Sequence, residues 1–147
     1  MSNASFFPSA VTTWLRSLRY WHEDENGIYV HGALPARADG SFPHPSEVEP
    51  QSVLAWCNDP SFFREYTGKR VVVGHMSTRH LPQALSEHSP DDSTDMFRHG
   101  AVFGLDTSAG SGGFLTALEL PRAAVYESRR PPLRGLQPNA APRVARP

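Results

Sequence analysis

The apolar positions of this chain fall into short blocks rather than long periodic runs, and three blocks share one grammar. Lys69-Arg70-Val71-Val72-Val73-Gly74-His75 has a basic entry, three consecutive β-branched residues and a Gly-His exit. That is the pattern of a buried strand presenting an imidazole where the sheet ends. Ile28-Tyr29-Val30-His31-Gly32 repeats it, and Ala101-Val102-Phe103-Gly104-Leu105-Asp106 ends on a carboxylate. Open α/β sheets place their sites at the C-terminal ends of strands, so these three exits are the first candidates for chemistry. Gly74 removes side-chain bulk beside His75, leaving room for close approach to the backbone.

Between the blocks the period changes. Val11, Trp14, Leu15 and Leu18 recur at three- and four-residue spacing, predicting a helix over 9–22 that Pro8 opens, with residues 1–7 frayed. Glu23-Asp24-Glu25-Asn26-Gly27 reads as an acidic turn. Residues 35–47, with Pro35, Pro43 and Pro45, read as a surface loop. Val53, Leu54 and Trp56 predict a second helix over 48–58, and Asp59-Pro60 starts a short helical turn that reaches Tyr66 and ends at Gly68. Residues 76–99 hold His80, His88 and His99 and read as a long polar connection, a kind of loop that is often functional. Segments 114–120 and 123–127, joined by Pro121-Arg122, predict an antiparallel hairpin.

Composition adds bounds. The 147 residues suggest one domain over 1–127, able to bury at most about 68–70% of its unfolded surface. The 14 prolines lower that. From Ser128 onward there are five arginines, five prolines and no acidic residue, which predicts a disordered tail over 128–147. A net charge of −1 recruits neither nucleic acid nor membrane. Cys57 is the single cysteine, so no internal disulfide framework exists, and a reducing, cytoplasmic location is expected. No apolar run approaches the roughly 18 residues of a spanning helix.

His31 and His75 are the sharpest chemical candidates. Neutral imidazole is the commonest protein ligand for zinc, iron and related metals, and two strand-end histidines can meet on one ion. Taken singly, each is more simply a hydrogen-bonded packing residue. The chain has no Cys-x-x-Cys, His-Glu-x-x-His or Walker loop, and no Gly-x-Ser-x-Gly elbow. Gly110-Ser111-Gly112-Gly113 offers backbone amides to a phosphate, but without a following helix it reads as a hairpin connection. Cys57 has no basic neighbour in sequence and reads as a structural thiol.

The order of these motifs is more specific than any one of them. Tyr29-Val30-His31-Gly32-Ala33-Leu34-Pro35, Trp56-Cys57-Asn58-Asp59, Val72-Val73-Gly74-His75, Leu105-Asp106-Thr107 and Gly112-Gly113-Phe114-Leu115-Thr116-Ala117-Leu118-Glu119-Leu120-Pro121 follow one another over residues 8–128. Together they resemble the C-terminal half of the calcineurin-like metallophosphoesterases, most of all the bacterial serine/threonine protein phosphatases, relatives of the diadenosine tetraphosphatases. The resemblance implies part of an α/β-β-α sandwich, a mixed sheet with flanking helices. It implies a divalent metal, manganese or iron, that activates water for attack on a phosphate ester. By the same resemblance His31 and His75 are ligands of the second metal, Asp106 is a supporting residue, and the substrate is a phosphoprotein or dinucleoside polyphosphate. Asn58 stands where relatives often carry a phosphate-binding arginine, Met76 replaces a threonine and Ser108 a glycine.

The family's earlier motifs, Gly-Asp-x-His-Gly, Gly-Asp-x-x-Asp-Arg-Gly and Gly-Asn-His-Asp/Glu, do not occur in the chain. They supply the first metal's ligands, the bridging carboxylate and the leaving-group histidine. Loss of one electrostatic stabiliser costs about 100- to 1000-fold in rate, and loss of all of these removes the mechanism. The expectation is therefore a truncated phosphatase, inactive as the isolated chain, that leaves an apolar sheet face or edge bare. The rivals are a non-catalytic pseudophosphatase module binding a metal or partner, and a chain completed by a separate N-terminal half.

Overall fold

The three blocks become three adjacent parallel strands. The computed structural model describes residues 6–129, and its regular elements run α1 (Ser9–Ser17), β1 (Trp21–Glu23), β2 (Ile28–Val30), α2 (Phe62–Glu65), β3 (Val71–Val73), β4 (Phe97–His99), β5 (Val102–Gly104), β6 (Thr116–Glu119) and β7 (Ala124–Glu127). A mixed sheet has the order β1-β2-β3-β5-β4, and β6-β7 form a separate hairpin. Strand β3 is central: Val71, Val72 and Val73 pair in parallel with Ile28, Tyr29 and Val30 on one side and with Val102, Phe103 and Gly104 on the other. β1 and β4 close the edges in antiparallel register, and each is only three residues long, which limits what an edge offers to a second chain.

Alternation along the strands sorts the core into two faces. Ile28, Val30, Val71, Val73 and Val102 point to one face, where Leu34, Leu54, Phe62, Phe63 and Leu81 cover them. Phe62 and Phe63 are both buried, each contributing about 1.5–3 kcal/mol. Phe103 points to the other face, with Met96 and Val125 and with Val72, Leu105 and Leu118 packed around them. The hairpin therefore caps the second face. Arg70 and Arg98 close the rest, their guanidiniums 5.4 and 5.2 Å from the Phe103 ring centre. Towards β1, Tyr29 stacks on His22 at 5.9 Å and donates its hydroxyl to Asp24 at 3.1 Å. The bare apolar face expected from the sequence is thus largely covered by the chain's own hairpin and arginines.

The fold is mixed α/β with few helices, and here the sequence-based expectations need correction. The helix expected over 9–22 stops at Ser17, and β1 takes residues 21–23 because Trp21, His22 and Glu23 pair with Val30, Tyr29 and Ile28. The helix expected over 48–58 is a 3-10 turn, Gln51–Ala55, entered directly from Pro50. The connection over 76–99 is neither all polar nor all loop: it contains 3-10 turns Thr78–His80 and Gln83–Leu85, strand β4 and the buried Leu81, Met96 and Phe97. Prolines at 43, 45, 50, 60, 82 and 90 punctuate these stretches, and each removes an amide that a longer helix would need.

Both chain ends differ from expectation too. The Ser128 amide donates to Leu115 at 2.9 Å and the Leu115 amide to the Ser128 hydroxyl at 2.9 Å, so the hairpin continues into what read as tail. The remainder of that expected tail, from residue 130, and residues 1–5 lie outside the described residues. No helix among the described residues is long and apolar enough to cross a membrane.

Candidate metal centre

His31 follows the last residue of β2, and His75 comes two residues after β3. The Gly74 amide donates to the His31 carbonyl at 3.0 Å, extending the parallel ladder one step past the strands. At His75 the chain turns: φ is 57°, the left-handed region that a bulky side chain rarely enters, and the Met76 amide donates back to the Gly74 carbonyl at 2.6 Å. A residue so held costs of order 1–3 kcal/mol and persists where neighbours over-determine it. The consequence is that the two imidazoles meet. Their ring centres lie 5.1 Å apart with planes tilted by 54°. The neighbour facing Gly74 is His31 itself, whose Nδ1 would lie in ordinary contact, 3.5 Å from a Cβ there.

The third wall comes from the 3-10 turn. Gly32 donates to the Leu54 carbonyl at 2.7 Å and Ala33 to the Cys57 carbonyl at 2.8 Å, tying Gln51–Ala55 and the residues after it to the exit of β2. Trp56 is thereby set beside the pair, its ring 5.4 Å from the His75 ring and nearly perpendicular to it. Asp59 locks the next turn, accepting the Ala36 amide at 3.0 Å and the Ser61 amide at 2.9 Å. Burial alone would raise its pKa, but the Ser61 and Ala36 hydrogen bonds outweigh this and hold it below the ordinary value. Cys57 is half-buried, and burial pushes its thiol up, which fits an inert structural thiol.

Asp106 sits at the end of β5 but does not join the histidines. Its Oδ1 accepts the Ser108 amide at 3.0 Å, and its carbonyl accepts the Thr78 amide at 2.9 Å. The Ser77 and Ser108 hydroxyls meet at 2.5 Å, so the turn after His75 is laced to the turn after Asp106. Ser108 has φ 62°, in the left-handed region where glycine is the usual occupant. Asn58 is exposed, lining a depression with Ser52, Val53, Trp56 and Cys57. The Gly110–Gly113 stretch overlaps a 3-10 turn, Ala109–Ser111, and the Ser111 and Gly113 amides both donate to the Ser108 carbonyl at 2.8 Å.

A cleft of about 420 Å³, lined by Glu23, Phe42, His44, Tyr66 and Lys69 among others, opens near the N-terminal ends of the same strands. Glu23 is held there between Lys69 Nζ at 2.8 Å and His44 Nε2 at 3.0 Å. It contains neither His31 nor His75.

Two imidazoles bound to one ion at about 2.0–2.1 Å have ring centres about 5 Å apart, so the spacing of the pair fits shared ligation. The donor count fits only in part. Among the described residues no group of three or more His, Cys, Asp or Glu side chains is placed to hold a metal. The pair can thus furnish two neutral nitrogen ligands and no neutralising carboxylate.

Trp56 is the site residue that the sequence misplaces. It reads there as part of an apolar helix face, yet it is 71% exposed. The available signal was Asn58-Asp59-Pro60 two residues after it, a turn sequence that argues against a helix continuing through Trp56. No family model, curated protein or solved structure matches the chain.

Proposed function

We propose that this chain is of the metal-dependent phosphoric ester hydrolase type, close to the serine/threonine protein phosphatases, with His31 and His75 as ligands of one divalent ion. The reading is supported above all by one observation: the two rings lie 5.1 Å apart at the exits of neighbouring parallel strands. The left-handed backbone at Ser108 also suits a motif whose usual residue there is glycine.

In such sites the ion activates water for in-line attack on a phosphate ester. The chain's own contribution is positional. The Gly74–His31 hydrogen bond and the strained turn at His75 hold both rings in one place, and the Ser77–Ser108 and Thr78–Asp106 hydrogen bonds brace the turn from the third strand. Among the described residues no third His, Cys, Asp or Glu stands with the two ligands, so on this reading the chain binds metal without turning over substrate. The donor count equally favours a second reading, a non-catalytic module that uses the pair to bind a metal or a partner.

The test is a manganese titration by calorimetry of the wild type, His31→Ala and His75→Ala, followed by phosphate release from para-nitrophenyl phosphate. Expected are binding that either substitution abolishes and no turnover. Unchanged binding in both variants would remove the metal centre, and turnover abolished by His75→Ala would overturn the inactive reading.

A further inference from the structure

We propose that helix α1 docks the protein on an anionic lipid surface, its apolar face entering the headgroup region and Arg16 and Arg19 lying beside the lipid anions. The inference is independent of what His31 and His75 hold.

At about 100° per residue, Phe7, Val11, Trp14, Leu15 and Leu18 fall on one stripe along the helix and its two ends. Ser9, Thr12, Thr13, Arg16 and Ser17 take the other side. None of these side chains is buried; Trp14 is 59% exposed and Phe6, just before the helix, 94%. An apolar patch left in water in this way marks an interaction surface. The helix also closes its own backbone. The Thr12 amide donates to the Pro8 carbonyl at 3.0 Å, the Leu18 amide to the Leu15 carbonyl at 3.3 Å and the Ser17 hydroxyl to the Trp14 carbonyl at 2.7 Å. The stripe is therefore formed before any partner arrives, and little conformational freedom is lost on docking.

Charge and size select the occupant. The net charge of −1 belongs to the whole chain, whereas residues 6–22 carry Arg16 and Arg19 and no acidic side chain. The carboxylates that follow are engaged inside the fold: Glu23 with Lys69 at 2.8 Å and His44 at 3.0 Å, Asp24 with the Tyr29 hydroxyl at 3.1 Å. Glu25 is exposed, but it lies past the far end of β1. The local balance thus matches a negative partner, contrary to the expectation from the overall charge. A second protein is a poor fit. The five side chains of the stripe expose 37–59% of their surface. With at most about 250 Å² for the largest of them, they fall short of the roughly 800 Å² that each partner of a stable complex buries. A lipid surface sets no such threshold. Trp, Phe and Leu enter the headgroup boundary by about 5–10 Å while arginines stay with the anionic lipids. Tyr20, exposed just past the helix, has the apolar body and polar tip that suit the same boundary.

The test is sedimentation of the full chain with vesicles of phosphatidylcholine alone and with about 30% phosphatidylserine, tryptophan emission being recorded in parallel. The wild type should partition about 10- to 30-fold more strongly onto the anionic vesicles, from two arginines at about fivefold each. Salt at about 1 M should remove that difference. Arg16→Glu with Arg19→Glu should erase the preference, and Trp14→Ser with Leu15→Ser should weaken binding to both compositions by about tenfold or more. The blue shift on binding should be lost in Trp14→Phe. All four substituted positions are exposed, so urea midpoints should stay at the wild-type value. Should a substituted helix disturb the fold, deletion of residues 1–18 gives the same reading and should abolish binding. No binding to anionic vesicles, equal binding to both compositions, or a blue shift that survives Trp14→Phe would each overturn the proposal. So would a preference that survives the two glutamates, which would assign it to the arginines from residue 129 onward. A chain that ignores vesicles and forms a dimer broken by Leu15→Ser would give the face to a second copy.

Discussion

Gly32 and Cys57 are packed so closely that a Cβ on the glycine would lie 2.8 Å from the Cys57 carbonyl oxygen and 2.9 Å from its amide nitrogen. This contact holds the segment carrying Trp56 against the exit of β2. Gly32→Ala should therefore cost about 1–3 kcal/mol in a urea denaturation, the usual range of overpacking. It should also shift the Trp56 indole signal in the NMR spectrum. An unchanged midpoint and indole signal would show that the turn gives way freely and does not position Trp56.

Helix α1 buries none of its residues, and Trp14 and Leu15 on its apolar face, with Leu18 just after its end, are at least 42% exposed. Its amphipathic pattern is thus not used by the rest of the fold. Deleting residues 1–18 should leave the unfolding free energy within about 0.5 kcal/mol of the full chain, as changes remote from the core do. A loss above about 2 kcal/mol by denaturant titration would mean that the helix stabilises the sheet.

Ser108 combines a left-handed φ of 62° with a hydroxyl contact to Ser77. Ser108→Ala loses the contact and keeps the strain, so it should cost about 1 kcal/mol. Ser108→Gly loses the same contact but relieves the strain, and should be more stable than the alanine variant by about 1 kcal/mol. Thermal melts of the two variants give the order, and alanine equal to or above glycine would contradict it.

Glu127 supplies a pH dependence. Burial first, then the neighbouring Asp95, push it up to about 7 from its ordinary 4.5. Arg129 sits between them, with Nε 3.0 Å from Glu127 and Nη2 2.9 Å from Asp95, while its Nη1 is 2.8 Å from Asp92. The folded chain thus keeps on Glu127 a proton that the unfolded chain releases near 4.5, so stability falls as pH rises from about 4.5 to about 7 and then levels. Asp92 works in the opposite sense, held at about 2 by the Thr94 hydroxyl and then Arg129, so its contribution is present above 3.8 and lost as pH falls through about 2. Urea midpoints between pH 5 and 8 should decline for the wild type and much less for Glu127→Gln. Parallel profiles would assign the decline to another group.

Several features of this protein were legible in the order of its residues. The β-branched and aromatic blocks at 28–30, 71–73 and 102–104 form strands, because such side chains suit a surface buried on both faces. The imidazoles after the first two blocks could be placed at the sheet's C-terminal rim from that alone. The hairpin of β6 and β7 followed from its Pro-Arg turn. What local pattern cannot carry is pairing. Phe97-Arg98-His99 has no strand signature of its own and is a strand because Gly104, Phe103 and Val102 lie opposite it. Trp21-His22-Glu23 left its helix for the same reason. The meeting of His31 with His75, the removal of Asp106 from that pair and the exposure of Trp56 were likewise decided by register and by the left-handed turn at residue 75. The two edge pairings join residues fewer than ten apart and the meeting of His31 with His75 joins residues more than 40 apart, but all are set by backbone hydrogen bonds that every sequence can make and that only the assembled sheet selects.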